Sequence, residues 1–390
     1  MRNGLFRAFV VLALACSPVL AGGASFGDTV TADVKLTCDL SGSGDGLIVG
    51  ADHITIDLNG YTIDGDGTGV GIDVTGYEKV KIKNGAIVDF GECVYAEDAD
   101  KLKLENLTLQ TVSNSLEWAA VEVRGAKGLT IKDCDISVPG DPPHGVNNPK
   151  AACVAVWGVT KMKIEKCTMD GGFFGVACSE TFSQPDADPT NGKIKDCDIT
   201  DCLIGILAAY TTDMKIEKCE VSGCQTGIRL GLSVKGVSNV KVKDCEIHDN
   251  FDGLAVQTLS SDFSLPFVDN EKIKLEKNEV YDNTRMGMLV GEIQNSKIKG
   301  NDIHDNGFDG LRLLNDSQNN KIEKNVVTDN GGDGIGLRSP RLHIGPSNND
   351  IKKNTSEGNG GFDCFHDEYS TPNDWDKNDC DTSSGADIDS

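Results

Sequence analysis

The sequence predicts an all-β fold, a single-stranded right-handed parallel β-helix solenoid of about 13 coils. Three observations carry that expectation. A phrase of alternating apolar and charged residues recurs along the chain, matched residue types stand at fixed offsets from it, and no 3.6-residue apolar period appears anywhere.

Residues 1–21 read as an export signal. Arg2 and Arg7 bracket a polar start, residues 9–15 are apolar, and Val19-Leu20-Ala21 offers a small-residue cleavage site. That run is too short for a membrane span, and no later stretch is apolar enough to make one. The expected organisation continues with an N-terminal cap over 22–46, the β-helix over 47–382 and a disordered tail over 383–390. Such a chain is expected to be secreted or periplasmic and to act as a monomer. Its net charge of −24 becomes −26 once Arg2 and Arg7 leave, which argues against nucleic acid as a partner.

The repeat reads apolar, Lys, apolar, charge, charge, Asn or Cys, any, apolar, as in residues 129–136 and 240–247. Its second apolar residue gives thirteen anchors: Ile56, Ile82, Leu104, Ile131, Ile164, Ile194, Ile216, Val242, Leu275, Ile298, Ile322, Ile351 and Trp375, spaced 22 to 33 residues apart. Between anchors lies a second strand phrase led by glycine, such as Gly227-Ile228-Arg229-Leu230 or Gly310-Leu311-Arg312-Leu313. Short period-2 runs bounded by Gly, Asp and Asn mean strands and tight turns.

The columns test the register. Three residues after the anchor stand Cys134, Cys167, Cys197, Cys219 and Cys245, then Asn278, Asn301, Asn325, Asn354 and Asn378. Eight residues after it stand Cys202 and Cys224, then Asn250, Asn283, Asn306, Asn330 and Asn359. Both columns are expected to form inward ladders at corners. The residue directly after each anchor alternates in sign from Asp57 and Lys83 to Lys352 and Asp376 without exception. A slip of one coil would oppose like charges, so the alternation pins the register. The lysines before the anchors, such as Lys81 and Lys241, are expected to be its partners.

The segment 52–63, the Ile-His-Asp-Asn copies at 247–250 and 303–306, the Asp-Gly-Leu and Asp-Gly-Ile steps, and the ending from Phe362-Asp363 to Asn378 resemble bacterial right-handed β-helix repeat proteins. The resemblance covers nearly the whole chain after the signal. The pectate lyase-like superfamily that it points to holds lyases, polygalacturonases, mannuronan C5-epimerases, phage tailspikes and a copper-delivery protein, so fold does not decide function. The epimerases carry Tyr-Gly-Phe-Asp-Pro-His in a middle coil. Here Gly361-Phe362-Asp363-Cys364-Phe365-His366 has an extra residue, lacks the proline and falls near the C-terminus, so it reads as a false match.

Thirteen cysteines follow the signal. Stacked neighbours suit disulfides, and Cys202–Cys224 and Cys364–Cys380 are the expected pairs. The column from Cys134 to Cys245 is expected to be apolar filling.

Functional signal is confined to residues that break the repeat. Only six arginines follow the signal against 29 lysines, and Arg124, Arg229, Arg285, Arg312 and Arg338 lie in or beside the glycine-led strands. A planar guanidinium suits bidentate capture of carboxylate. Arg229 and Arg338 are therefore expected to bind an acidic polysaccharide or cell-surface glycan. Glu122, Arg124 and Trp157, with Tyr95 and Glu97, make a second sugar-binding candidate. His304, Tyr281, Arg312 and Asp309 are the catalytic candidates for a lyase or C5-epimerase, in which proton abstraction beside a uronate carboxylate needs a base and a stabiliser of the developing charge. Stacked Asp282, Asp305 and Asp329 are candidate ligands for Ca²⁺, which prefers oxygen. Against these stands a structural reading, in which the arginines pair with neighbouring acids and the Asp-Asn steps are capped turns. A non-catalytic surface solenoid is the competing function. Loops at 111–119, 138–150, 179–191, 258–271 and 338–348 are candidate cleft walls.

Overall fold

The computed structural model describes residues 23–112, 119–139, 151–179, 191–231, 236–256, 270–339, 345–385 and 388. The proposed signal and the loop residues Trp118, His144, Arg341 and His343 lie outside them. Strands and turns make up the described residues, with no helix.

Each coil consists of three short strands, for example Lys297–Lys299, Asp302–His304 and Leu311–Leu314. They stack on their counterparts in neighbouring coils to give three parallel sheets, which we call the anchor, second and third sheets. The third sheet holds 15 strands. The long strands Lys81–Phe90 and Lys103–Thr111 run through the corner and join the anchor and second sheets. The chain is a right-handed parallel β-helix.

The register is the one the anchors predict. Ile56 pairs with Ile82, Ile82 with Leu104, Leu104 with Ile131, and each later anchor with the next as far as Ile351 and Trp375. The ladders begin before residue 47, since Val34 pairs with Ile56 and Leu40 with Ile63. Lys35 opposite Asp57 thus adds a rung to the alternating column. At the other end Ser383–Ser384 pairs with Cys364–Phe365. The inward residues form one continuous core from Val30 to Cys380.

The charges are arranged in two dimensions. Where the residue after the anchor is lysine, the next is often an acid that pairs with it: Lys132–Asp133 at 3.2 Å, Lys195–Asp196 at 2.9 Å and Lys243–Asp244 at 2.8 Å. Where it is glutamate, it reaches diagonally to the lysine before the preceding anchor, as in Glu276–Lys241 at 3.1 Å and Glu217–Lys193 at 3.5 Å. The second charge of the phrase turns the corner with positive φ, for example Asp133 at 52° and Lys277 at 57°.

The inward ladders form at the corners. Asn278, Asn301, Asn325, Asn354 and Asn378 pass Nδ2–H to Oδ1 of the next at 2.9–3.0 Å, and also serve backbone groups. Asn250 through Asn359 do the same at 2.8–3.1 Å. The cysteines take these places in the N-terminal coils, each thiol donating to the carbonyl two residues earlier, as Cys134 to Lys132 at 3.3 Å. A third ladder, Asn320 to Asn349 to Asn373, occupies the remaining corner at 2.9 Å per step.

Of the two expected disulfides, Cys364–Cys380 is formed. Cys202 and Cys224 are free and buried. Each thiol is engaged by a backbone carbonyl, Cys202 by that of Thr200 at 3.2 Å and Cys224 by that of Ser222 at 3.3 Å. They are ladder residues and not a bridge. Cys153 and Cys178 are likewise buried thiols, pushed up to about 12 by desolvation, which makes them inert.

The glycine that opens the third-sheet strands is needed for close approach. A Cβ on Gly227 would lie 2.7 Å from the Gly253 carbonyl, and one on Gly253 would lie 2.6 Å from that of Gly287. Stacked glycines therefore set where the third sheet begins, and with it which residues face out.

Candidate functional site

The outward face of the third sheet carries the residues that break the repeat. Tyr95, Glu122 and Ala155 stand in register, then Ala177, Leu207, Arg229, Ala255, Leu289, Arg312, Gly336 and Phe365. Two positions on, Glu97, Arg124, Trp157 and Ser179 form a parallel column. Arg229 and Arg312 thus share one outward column, as the sequence suggests.

The C-terminal part of this face holds a cavity of about 380 Å³, lined by Arg285, Arg312, Arg338, Met286, Leu289, Leu314, Ser339 and Asp367. Each arginine is held by a buried acid that precedes the glycine position. Arg285 pairs with Asp252 through Nε (2.7 Å) and Nη2, Arg312 with Asp309, and Arg338 with Asp333. Each also lies over an aromatic ring: Arg285 over Phe251 at 5.0 Å, Arg312 over Phe308 at 5.7 Å and Arg338 over Phe365 at 4.1 Å. Cation–π contact and a carboxylate together fix the guanidinium plane. Each pair is a dipole whose positive end faces the cavity.

The sequence groups Arg312 and Asp309 with His304 and Tyr281, and Arg338 with Arg229; the structure instead brings Arg312, Asp309 and Arg338 together with Arg285 and with aromatic rings that the sequence reading does not name. Phe251-Asp252-Gly253 and Phe308-Asp309-Gly310 were the available signal. Phe251, Phe308 and Phe362 remain exposed, at 43%, 50% and 42%.

His304 and Tyr281 do not join Arg312. They project from the second sheet, where His248, Tyr281 and His304 stack with centroids 4.8 and 5.3 Å apart. His304 is engaged by Asp305 at 2.8 Å and Glu279 at 3.5 Å. The catalytic group proposed from sequence is therefore divided between two faces. The cause is the corner between Asp305 and Gly310, which turns the chain from one sheet to the next. In the cavity itself, the Asp367 carboxylate is taken by Ser339 N–H, Tyr369 N–H and the Ser370 hydroxyl. It is committed as an acceptor.

Asp282, Asp305 and Asp329 are exposed corner residues with φ of 51°, 54° and 56°. Among the described residues no group of three or more His, Cys, Asp or Glu is arranged to hold a metal ion. These carboxylates turn the chain.

The N-terminal candidate does come together, but it satisfies itself. Arg124 Nε donates to Glu122 at 2.6 Å and lies 5.7 Å over Tyr95, whose hydroxyl donates to Glu97 at 2.9 Å. Burial and Glu97 push the Tyr95 phenol up to about 12. Trp157 leans on a separate outward apolar cluster that includes Ala155, Phe174, Ala177 and Leu207.

Asp363 and His366, in the segment resembling the epimerase motif, are buried. Asp363 accepts from Asn359 and Thr382, which closes the last coil.

Comparison with known proteins agrees with the architecture. The family model described as a right-handed beta helix region matches residues 119–271 and 231–379. The chain belongs to this family. Solved structures similar in fold include two epimerases. The periplasmic alginate epimerase AlgG has TM-score 0.57 and 14% identity, over 82% of this chain and 77% of that one. The A-module of the Azotobacter vinelandii mannuronan C-5 epimerase AlgE4 has TM-score 0.53 and 13% identity, over 92% and 91%. At such identity the likeness is one of fold. No curated protein matches by sequence.

Proposed function

We propose that this protein is exported and binds an acidic polysaccharide on the outer face of its third sheet, at the cavity framed by Arg285, Arg312 and Arg338. The convergence of these three arginines on one cavity is the observation that carries the reading. Its volume falls in the range of small-ligand sites, roughly 300–1,000 Å³. Arg285 and Arg312 spend their Nε–Nη2 edge on an aspartate and Arg338 spends Nη2, so each keeps further N–H donors for a carboxylate. Leu289, Leu314 and Met286 supply apolar surface, and the exposed Phe308 offers a ring for a sugar face. The overall negative charge does not forbid this, because screening limits it to about 8 Å at physiological salt. The apolar run at residues 9–15 and the Cys364–Cys380 bridge support an exported location.

The reading is of binding, since His304 and Tyr281 lie on another face and Asp367 already accepts three hydrogen bonds from Ser339, Tyr369 and Ser370. The test is titration of polygalacturonate, alginate and a neutral glucan into the wild-type protein and the Arg312→Ala, Arg338→Ala and Phe308→Ala variants. We expect affinity for an acidic polymer over the glucan, reduced about tenfold by each arginine change. Equal affinity of all variants, or none for any acidic polymer, overturns the reading. Release of unsaturated products, followed by ultraviolet absorbance, would convert a binding protein into a lyase.

A further inference from the structure

Four of the five arginines on this face have an acid and an aromatic ring. Among the described residues Arg229 has neither. Its Nε and Nη2 are buried without a hydrogen-bond partner among those residues. The closest acid that acts on it, Asp252, has both oxygens engaged by Arg285. Burial draws the Arg229 guanidinium below its ordinary pKa, with Asp252 only partly opposing. In the outward column its neighbours are Leu207 before and Ala255 and Leu289 after. Aliphatic residues fill this position on adjacent rungs, so packing alone does not require a cation. An unpaired buried charge costs several kcal/mol.

We propose that Arg229 is a second oxyanion subsite, which receives a carboxylate or sulfate group of a ligand lying along the outward column of the third sheet. The subsite rests on the polysaccharide reading above and adds a direction to it. Arg229 and Arg312 are three rungs apart, about 14 Å at ~4.8 Å per rung. A single acidic chain running parallel to the solenoid axis reaches both, with the small Ala255 and apolar Leu289 between them. The side chain as a whole is half-buried, so an anion can approach it from its open side.

Thermal unfolding at constant ionic strength tests the assignment. Sodium galacturonate, sodium sulfate and sodium chloride are compared on wild type, Arg229→Met, Arg229→Lys and Arg312→Ala. Galacturonate or sulfate should raise the wild-type midpoint by about 2 °C or more over chloride. Arg312→Ala should lose only the share of the response that the cavity supplies and keep the share that depends on Arg229, because separated sites are independent. Arg229→Met should lose the share of the response that Arg312→Ala retains and melt higher than wild type in chloride, while Arg229→Lys should keep part of that share. A response to sulfate alone would assign sulfate esters as the ligand group; one to galacturonate would assign uronate. Equal responses of wild type and Arg229→Met, or an Arg229→Met protein that melts lower in chloride, overturn the subsite. Should no acidic polymer bind at the Arg312 cavity while the sulfate response depends on Arg229, the polysaccharide reading fails and the subsite survives.

Discussion

Single residues in this protein take their character from the rung above or below. His248 and His304 show this most clearly. For each ring, burial disfavours the charged form, but carboxylates outweigh it: Asp249 and Glu220 at His248, and Asp305, Asp302 and Glu279 at His304. Both histidines therefore titrate above 6.5 in the folded chain. A folded pKa raised above the unfolded one stabilises below the unfolded value, and the gain is lost as pH rises through the folded value. Urea midpoints should accordingly fall as pH is raised from 6 to 8. Tyr281 between the rings stays protonated there, its pKa raised by burial and by Glu246 and Glu279. A His248→Gln/His304→Gln variant should flatten the profile, and an undiminished slope would show that other groups set it. The three-ring stack was legible in the sequence, because His248, Tyr281 and His304 each stand six residues after the anchors Val242, Leu275 and Ile298. Its separation from Arg312 was not, because the intervening residues 305–310 turn a corner whose angle no spacing reveals. That the arginines pair with acids was legible, but which acid serves which arginine was not: Asp309 precedes Arg312 by three residues, whereas Asp252 precedes Arg285 by thirty-three.

The strand and its corner are the elements on which the fold depends. Apolar alternation told which residues face in, and the sign alternation from Asp57 to Asp376 told which coil lies beside which. Those two patterns sufficed for the whole anchor register. The third asparagine ladder escaped because Asn320, Asn349 and Asn373 fill a slot that is apolar in earlier copies, as at Val80 and Leu102. The ladders differ in strength from the surface charges around them. Asn325 Nδ2 donates to the Ile298 carbonyl at 3.1 Å and to Asn354 Oδ1 at 2.9 Å, and its Oδ1 accepts from Asn301 N and Nδ2. Asn325→Ala orphans several buried groups at once, and should cost roughly 2–4 kcal/mol in urea unfolding at 1–3 kcal/mol per orphaned group. A half-exposed surface ion pair such as Lys297–Glu323 contributes about 1 kcal/mol at most. A loss below 1 kcal/mol for Asn325→Ala would mean that water replaces the amide and that the ladders pack more than they bond.

At the scale of the molecule, coils touch only their neighbours, so stability is a sum of interfaces and the ends are the weak points. The two halves are built differently: thiols fill the corner ladders from Cys134 to Cys245, and asparagines from Asn250 to Asn378. The change follows the face on which the arginine cavity sits, since Arg285, Arg312 and Arg338 all belong to asparagine-laddered coils. The last coil closes this half, and there Cys364–Cys380 bridges a third-sheet strand to the following second-sheet strand, 16 residues on. Closing so short a loop stabilises by about 3 kcal/mol. With only nearest-neighbour coupling, that contribution should stay local. In a Cys364→Ala/Cys380→Ala variant, hydrogen exchange should speed up over the final strands 364–384 and, through Phe365, loosen the stacking of Arg338. Strands 194–256 should keep their protection, and affinity for acidic polymer should fall less than in Arg312→Ala. A uniform loss of protection along the chain would instead make the solenoid one cooperative unit, with the bridge acting on all of it.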